Sequence, residues 1–115
     1  MSGTHFRELT QGISADLASL RTGTPDTMKA FNDLGRAALA DGALSRKSKE
    51  LIALALSVAA RCDACIGFHM QTLVKLGATR QEVEETLAVA TYMGGGPSLM
   101  YAAQAVSAFD EFSRL

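Results

Sequence analysis

Two cysteines and a histidine stand close together in the segment Arg61-Cys62-Asp63-Ala64-Cys65-Ile66-Gly67-Phe68-His69. Residues three and four apart share one face of a helix, so Cys62, Cys65 and His69 fall on a single stripe. Helical i,i+3 spacing sets the two cysteine Cα atoms roughly 5 to 6 Å apart, within disulfide range. Such a pair can open and close without refolding. A neutral imidazole one turn beyond Cys65 can take a thiol proton, and the imidazolium so formed stabilises the thiolate, the reactive form of cysteine. A helix starting near Cys62 adds free N–H groups that favour the thiolate further. Arg61 contributes a positive charge and Asp63 opposes it. Cys65 is nearer His69, which favours it as the attacking sulfur. Cys62, nearer the helix start, would then resolve a sulfenic acid on Cys65 into a disulfide and meet the incoming reductant.

Plainer readings of the same residues exist. Buried free cysteine is a common core residue. Cys62, Cys65 and His69, with Glu50 as a fourth ligand, could hold a metal, but structural zinc sites pair two separate knuckles and the second is missing here. Glu50 alone could be a surface carboxylate paired with Arg46 or Lys49. Arg46, Lys47 and Lys49 crowd a helix start, where the macrodipole disfavours cations. They read as a solvated edge or a subunit contact. Gly94-Gly95-Gly96 lacks the preceding strand of a phosphate loop and reads as a turn. Tyr92, Met93 and Tyr101 read as core packing rather than a pocket lining, and His5 as an exposed terminal residue.

Helices must position this cluster, because apolar residues recur with helical spacing and no segment alternates with period two. The first helix carries Phe6, Leu9, Ile13, Leu17 and Leu20 inward. Thr24 caps the second, with Pro25 at its first position, and Met28, Phe31, Gly35, Ala38 and Leu39 face the core until Asp41-Gly42. Ser45 caps a third helix, which runs through Leu51-Ile52-Ala53-Leu54-Ala55-Leu56 and is apolar on every face. A helix of that kind is buried all round, so a subunit interface is expected to share its burial. The cysteine helix closes at Gly77 in a left-handed cap. Thr79 and Glu82 have capping-box spacing and open a helix with Val83, Leu87 and Ala90 inward and Glu82, Glu84 and Glu85 toward water. Pro97 opens the last, with Leu99, Ala102, Ala103, Val106 and Phe109 inward.

Broad properties narrow the field. The 115 residues make one domain, residues 1–115. A net charge of −1 favours neither nucleic acid nor an anionic membrane. The N-terminus lacks the pattern of a secretory signal, and the longest apolar run, Leu51 to Ala60, is far short of the roughly 20 residues of a membrane span. A soluble, cytoplasmic protein is expected. Two adjacent cysteines do not make a secreted disulfide scaffold.

Glu50, Cys62, Cys65 and His69 reproduce the Glu-x11-Cys-x-x-Cys-x-x-x-His pattern, and the chain here resembles alkyl hydroperoxidase D, grouped with the carboxymuconolactone decarboxylases. Lys49-Glu50-Leu51-Ile52-Ala53-Leu54-Ala55 and Met93-Gly94-Gly95-Gly96-Pro97 extend the resemblance over most of the chain. It implies an all-α, alkyl hydroperoxidase D-like single-domain bundle of about six helices, assembled as a homo-oligomer, a trimer or hexamer. It implies a thiol-dependent peroxidase or disulfide reductase with a redox-active Cys62–Cys65 disulfide. Cys65 would be peroxidatic, Cys62 resolving, and His69 with Glu50 a proton relay. Substrates would be small or alkyl hydroperoxides, and the electron donor a lipoyl- or thioredoxin-like dithiol. No metal, flavin or other cofactor is implied. Where some relatives place a second histidine just before the second cysteine, this chain has Ala64, which implies a shorter relay and a slower or differently tuned turnover. The alternatives are a lactone decarboxylase, which needs no cysteine pair, and a non-catalytic redox-sensing module.

One geometric demand follows. Unbroken helix would set Glu50 about 18 Å along the axis from Cys62. The chain must break near Arg61 to Asp63 and fold back, or a neighbouring subunit must supply the carboxylate. The break is the expected solution.

Overall fold

Capping chemistry divides the chain where the sequence indicates. In a computed structural model that describes residues 5–114, the helices are α1 (His5–Gly23), α2 (Pro25–Leu39), α3 (Arg46–Ala59), α4 (Asp63–Lys75), α5 (Arg80–Gly94) and α6 (Gly96–Ser113). The described residues contain no strand. Ser45 Oγ accepts the Ser48 N–H at 3.1 Å and starts α3. Thr79 and Glu82 form the expected reciprocal box at the start of α5, with bonds of 3.1 and 2.9 Å. Thr24 is different. Pro25 does open α2, but the Thr24 hydroxyl donates back to the Leu20 carbonyl at 3.0 Å rather than capping the helix ahead.

Two helices end in the same way. At the end of α4, Ala78 N–H bonds the Leu73 carbonyl and Gly77 N–H the Val74 carbonyl, with Gly77 at φ +79°. At the end of α3, Cys62 N–H bonds the Ser57 carbonyl and Arg61 N–H the Val58 carbonyl, with Arg61 at φ +58°. Both are Schellman closures, in which the left-handed residue is ordinarily glycine. The left-handed conformation costs an arginine roughly 1–2 kcal/mol. The sharp corner it makes is the break that the Glu50–Cys62 spacing demands.

The core is shared by Phe6 of α1, Leu54 and Val58 of α3, Ile66, Met70 and Leu73 of α4, Val83, Leu87 and Ala90 of α5, and Ala102, Ala105, Ala108 and Phe112 of α6. Helices α3 to α6 pack around it, and α1 lies across α4 and α6. Helix α2 touches only α1 and α3 and buries none of its residues. Of the inward face expected for it, Met28, Gly35 and Leu39 are half-buried, whereas Phe31 and Ala38 are exposed. So are Leu20, Leu99 and Ala103, while Tyr92 and Met93, expected in the core, are among the most exposed residues. Tyr101 packs against the core as expected. The all-round apolar α3 leaves Ile52 and Leu56 exposed, so one chain does not bury it completely.

Two charged contacts hold the outer layer. Glu111, buried in α6, accepts the backbone N–H groups of Phe6 at 3.0 Å and Arg7 at 2.6 Å. It thereby satisfies free donors at the start of α1. Arg7 in turn donates to the Glu111 carbonyl and stacks over Phe112. Glu82 does not simply face water: its second oxygen bonds Lys47 of α3 at 2.8 Å. The Lys47 ammonium, and then the Thr79 backbone N–H, hold the Glu82 carboxyl below its ordinary value of 4.5.

Two outcomes follow. A Cβ at Gly67 would come within 2.7 Å of Thr10 Cγ2 and 3.4 Å of a Phe6 ring carbon. Gly67→Ala is expected to lower stability by about 1–3 kcal/mol in denaturant melts, and adding Thr10→Ser, which removes that methyl, should restore much of the loss. For Glu82 the depressed pKa means stabilisation that is complete above the unfolded value and lost as pH falls through the folded one. The stability gap between wild type and Glu82→Gln should thus close on acidification below 4.5 and stay constant from there to neutrality.

Candidate functional site

Cys62 occupies the N-cap of α4, with φ −110° and ψ 97°. The Schellman closure just before it turns the chain out of α3 and leaves Cys62 extended, the usual N-cap conformation. Its Sγ accepts the Cys65 N–H at 3.2 Å. A cysteine therefore does here what serine does for α3. Cys62 and Cys65 are joined in a disulfide with Cα atoms 5.2 Å apart, inside the separation expected from i,i+3 spacing. Both are half-buried.

The fold-back brings Glu50 of α3 against His69 of α4. Glu50 Oε1 lies 2.7 Å from His69 Nδ1. The carboxylate is almost wholly removed from water, with its side chain 3% exposed, whereas the imidazole is 31% exposed. An ionised carboxylate can only accept, so in a neutral imidazole this bond would place the proton on Nδ1 and leave the lone pair on Nε2. His69 is four positions after Cys65, so both sit on the same face of α4. Glu50 Oε2 faces Arg46 Nε at 4.0 Å, across one turn of α3. One chain thus supplies all four residues read from the sequence, as a Glu50–His69 contact between α3 and α4 and a Cys62–Cys65 pair at the start of α4.

The rest of the neighbourhood is mixed. Asp63, the first residue of α4, has one carboxylate oxygen buried without a hydrogen-bond partner. Among the described residues, no group of three or more His, Cys, Asp and Glu side chains is placed to hold a metal ion. Apolar grooves lie elsewhere. One of about 270 Å³ runs between α3 and α5 along Leu51, Ile52, Ala55, Leu56, Thr86 and Val89. Sequence reasoning did not find the N-cap bond made by the Cys62 sulfur, nor the place of Glu111. Cysteine is not a standard cap, and nothing local marks Glu111.

The sequence profile of the carboxymuconolactone decarboxylase family matches residues 25–108, a span that takes in Glu50, both cysteines and His69. The chain belongs to that family. A carboxymuconolactone decarboxylase family protein of Legionella pneumophila is 58% identical, with a TM-score of 0.95, over 96% of this chain and 99% of its own. Another, from Thermotoga maritima, is 30% identical, with a TM-score of 0.79, over 89% of this chain and 87% of its own. An uncharacterized protein of Cupriavidus necator is 42% identical over 98 residues, 85% of this chain and 87% of its own length. The six-helix architecture is that of the carboxymuconolactone decarboxylase and alkyl hydroperoxidase D proteins. Family membership and the cysteine pair are compatible with an activity of the alkyl hydroperoxidase D kind. No described helix is long and apolar enough to cross a membrane.

The N-cap role can be measured on its own. In reduced protein, Cys62→Ser keeps an acceptor at the cap and is expected to be at least as stable as wild type. Cys62→Ala should lie about 1 kcal/mol below the serine variant. Equal stability of the two variants in urea melts would remove the cap from the account.

Proposed function

We propose that this protein is a thiol-dependent peroxidase or disulfide reductase that cycles Cys62 and Cys65 between dithiol and disulfide. The observation that carries the reading is the 2.7 Å bond between His69 Nδ1 and the buried Glu50 carboxylate, on the helix face that holds Cys65. A histidine oriented in this way has one nitrogen committed and the other free to take a thiol proton.

The cycle balances in three steps. His69 takes the Cys65 proton, and the thiolate attacks the distal oxygen of a hydroperoxide. The O–O bond breaks, Cys65 becomes a sulfenic acid, and the alcohol leaves with a proton returned through His69. Cys62 then attacks the Cys65 sulfur, the disulfide forms and water is released. An external dithiol, of lipoyl or thioredoxin type, finally reduces the disulfide and becomes a disulfide itself. The helix N-terminus favours thiolate at Cys62, and His69 favours it at Cys65, so each sulfur has its own means of leaving as an anion. Ala64 leaves the relay with a single histidine. Supporting context comes from the Thermotoga maritima relative, for which a part in the antioxidative response has been suggested.

The reading includes a homo-oligomer, trimeric or hexameric. Ile52, Leu56 and Val89 line an apolar groove and are 49%, 65% and 61% exposed. Covering them would complete the burial that the composition of α3 asks for.

The test takes fully reduced protein without oxygen, adds one equivalent of an alkyl hydroperoxide, and traps free thiols at short times. Trypsin cleavage after Arg61 and Lys75 leaves both cysteines in one peptide. Rapid loss of two hydrogens from that peptide, with resistance to alkylation, is expected. Glu50→Gln and His69→Asn should slow it by about a hundredfold, the low end of what general acid–base groups contribute. Thiols that stay alkylatable over minutes would sink the peroxidase reading and leave lactone decarboxylation to be tested.

A further inference from the structure

Helix α3 opens with three cations, Arg46, Lys47 and Lys49, and has no acidic residue in its first turn. The helix macrodipole makes this an unfavourable arrangement, so each cation needs something to hold it there. Lys47 Nζ reaches Glu82 of α5 at 2.8 Å. Lys49 Nζ donates to the Ala40 carbonyl, before α3 begins, at 2.6 Å. Arg46 turns the other way, toward the Glu50 carboxylate.

We propose that Arg46 is a positioning residue for the Glu50–His69 pair. Glu50 has two oxygens and almost no water. Oε1 is taken by His69 Nδ1 at 2.7 Å, and Oε2 faces Arg46 Nε at 4.0 Å. At that separation the guanidinium acts through charge rather than through a hydrogen bond. Its attraction on one oxygen holds the other oxygen toward His69. Arg46 thereby fixes the proton on Nδ1 and the free lone pair on Nε2. The neighbouring cations do not substitute for it, because Lys47 and Lys49 are committed elsewhere, to Glu82 and Ala40. Of the acids on α6, Glu111 is committed to the start of α1 and Asp110 to Arg80. Arg46 reaches neither sulfur by any contact seen here, and its effect passes through Glu50.

The order of charges along α3 fits this role better than a role in helix stability. A cation four residues before an anion is the weaker orientation of an i,i+4 pair, and it opposes the macrodipole. Arg46 is also 52% exposed, so salt should screen its effect.

The inference rests on the relay reading above, and its test separates the two. Arg46→Gln, Arg46→Lys and Glu50→Gln are compared in reduced protein without peroxide. The first readout is the alkylation rate of Cys65, taken in a Cys62→Ser background. The second is the tautomer of His69, from the 15N shifts of its ring nitrogens. Arg46→Gln should slow alkylation by about twofold to fivefold, as expected for a half-exposed ion pair. It should also mix the two tautomers. Arg46→Lys should recover most of the rate, and 0.5 M salt should bring wild type toward Arg46→Gln. A slow Glu50→Gln beside an unaffected Arg46→Gln would overturn the role of Arg46 and leave the relay standing. A rate and tautomer unchanged in Glu50→Gln as well would overturn the relay and this inference with it. An Arg46→Lys variant as slow as Arg46→Gln would show that shape rather than charge matters, against the proposal.

Discussion

A carboxylate with 3% of its side chain exposed must have partners, because a buried unpaired charge is among the costliest defects a fold can carry. Glu50 sets that condition for this chain. Its partner, His69, lies 19 residues on, and no straight helix could bring the two together. The condition is met by ending α3 at Ala59, turning at Arg61 and returning along α4. The corner requires a left-handed residue, and an arginine rather than a glycine accepts it. Strained backbone of this kind collects where surrounding structure over-determines it. Here it directly precedes the first cysteine, and it sets Cys62 in the extended conformation that makes it a helix cap.

Much of this was legible because it is local. The turns at Gly77 and Gly95, the Ser45 cap and the Thr79–Glu82 box are each written in a few consecutive residues, and the structure places them where the spacing indicates. The site was legible for a related reason. The i,i+3 and i,i+4 spacing of Cys62, Cys65 and His69 fixes a shared face, and the impossibility of a straight path from Glu50 predicts the break. Amphipathic spacing was less faithful. It predicts an inward face for α2 with Phe31 and Ala38, yet a pattern says only that a face is apolar, and nothing in it names the surface that covers that face. In one chain Phe31 and Ala38 meet solvent, as do Ile52 and Leu56 on α3 and Val89 on α5.

What the sequence hid is long-range and polar. Glu111 bonds the first turn of α1 across 104 and 105 residues, and no periodic signal marks it. Its burial looks wrong in a helix otherwise lined by Ala102, Ala105, Ala108 and Phe112 until the donors of α1 are in view. Lys47 and Glu82 are likewise ordinary surface charges in the sequence and become the link between α3 and α5 only in three dimensions. The basic cluster at the start of α3 could be described, but not resolved, from sequence. Its three members go to three separate partners.

The two sulfurs are near neighbours in one helical turn, but their surroundings differ in kind. Cys62 is supported by backbone, since its sulfur takes the place of a capping oxygen on the Cys65 N–H. In the proposed relay Cys65 is supported by a side chain, through a histidine bonded to a buried carboxylate. Backbone support is fixed by the fold and does not depend on protonation. Side-chain support moves protons and can respond to charge nearby. A disulfide opened by a reductant releases one sulfur as a thiolate, and the released sulfur is the better leaving group where its anion is better stabilised. The corner at Arg61 therefore does more than satisfy Glu50. By giving one sulfur a helix end and, in the proposed relay, the other a proton carrier, it makes a symmetric chemical bond into one whose two halves are not equivalent.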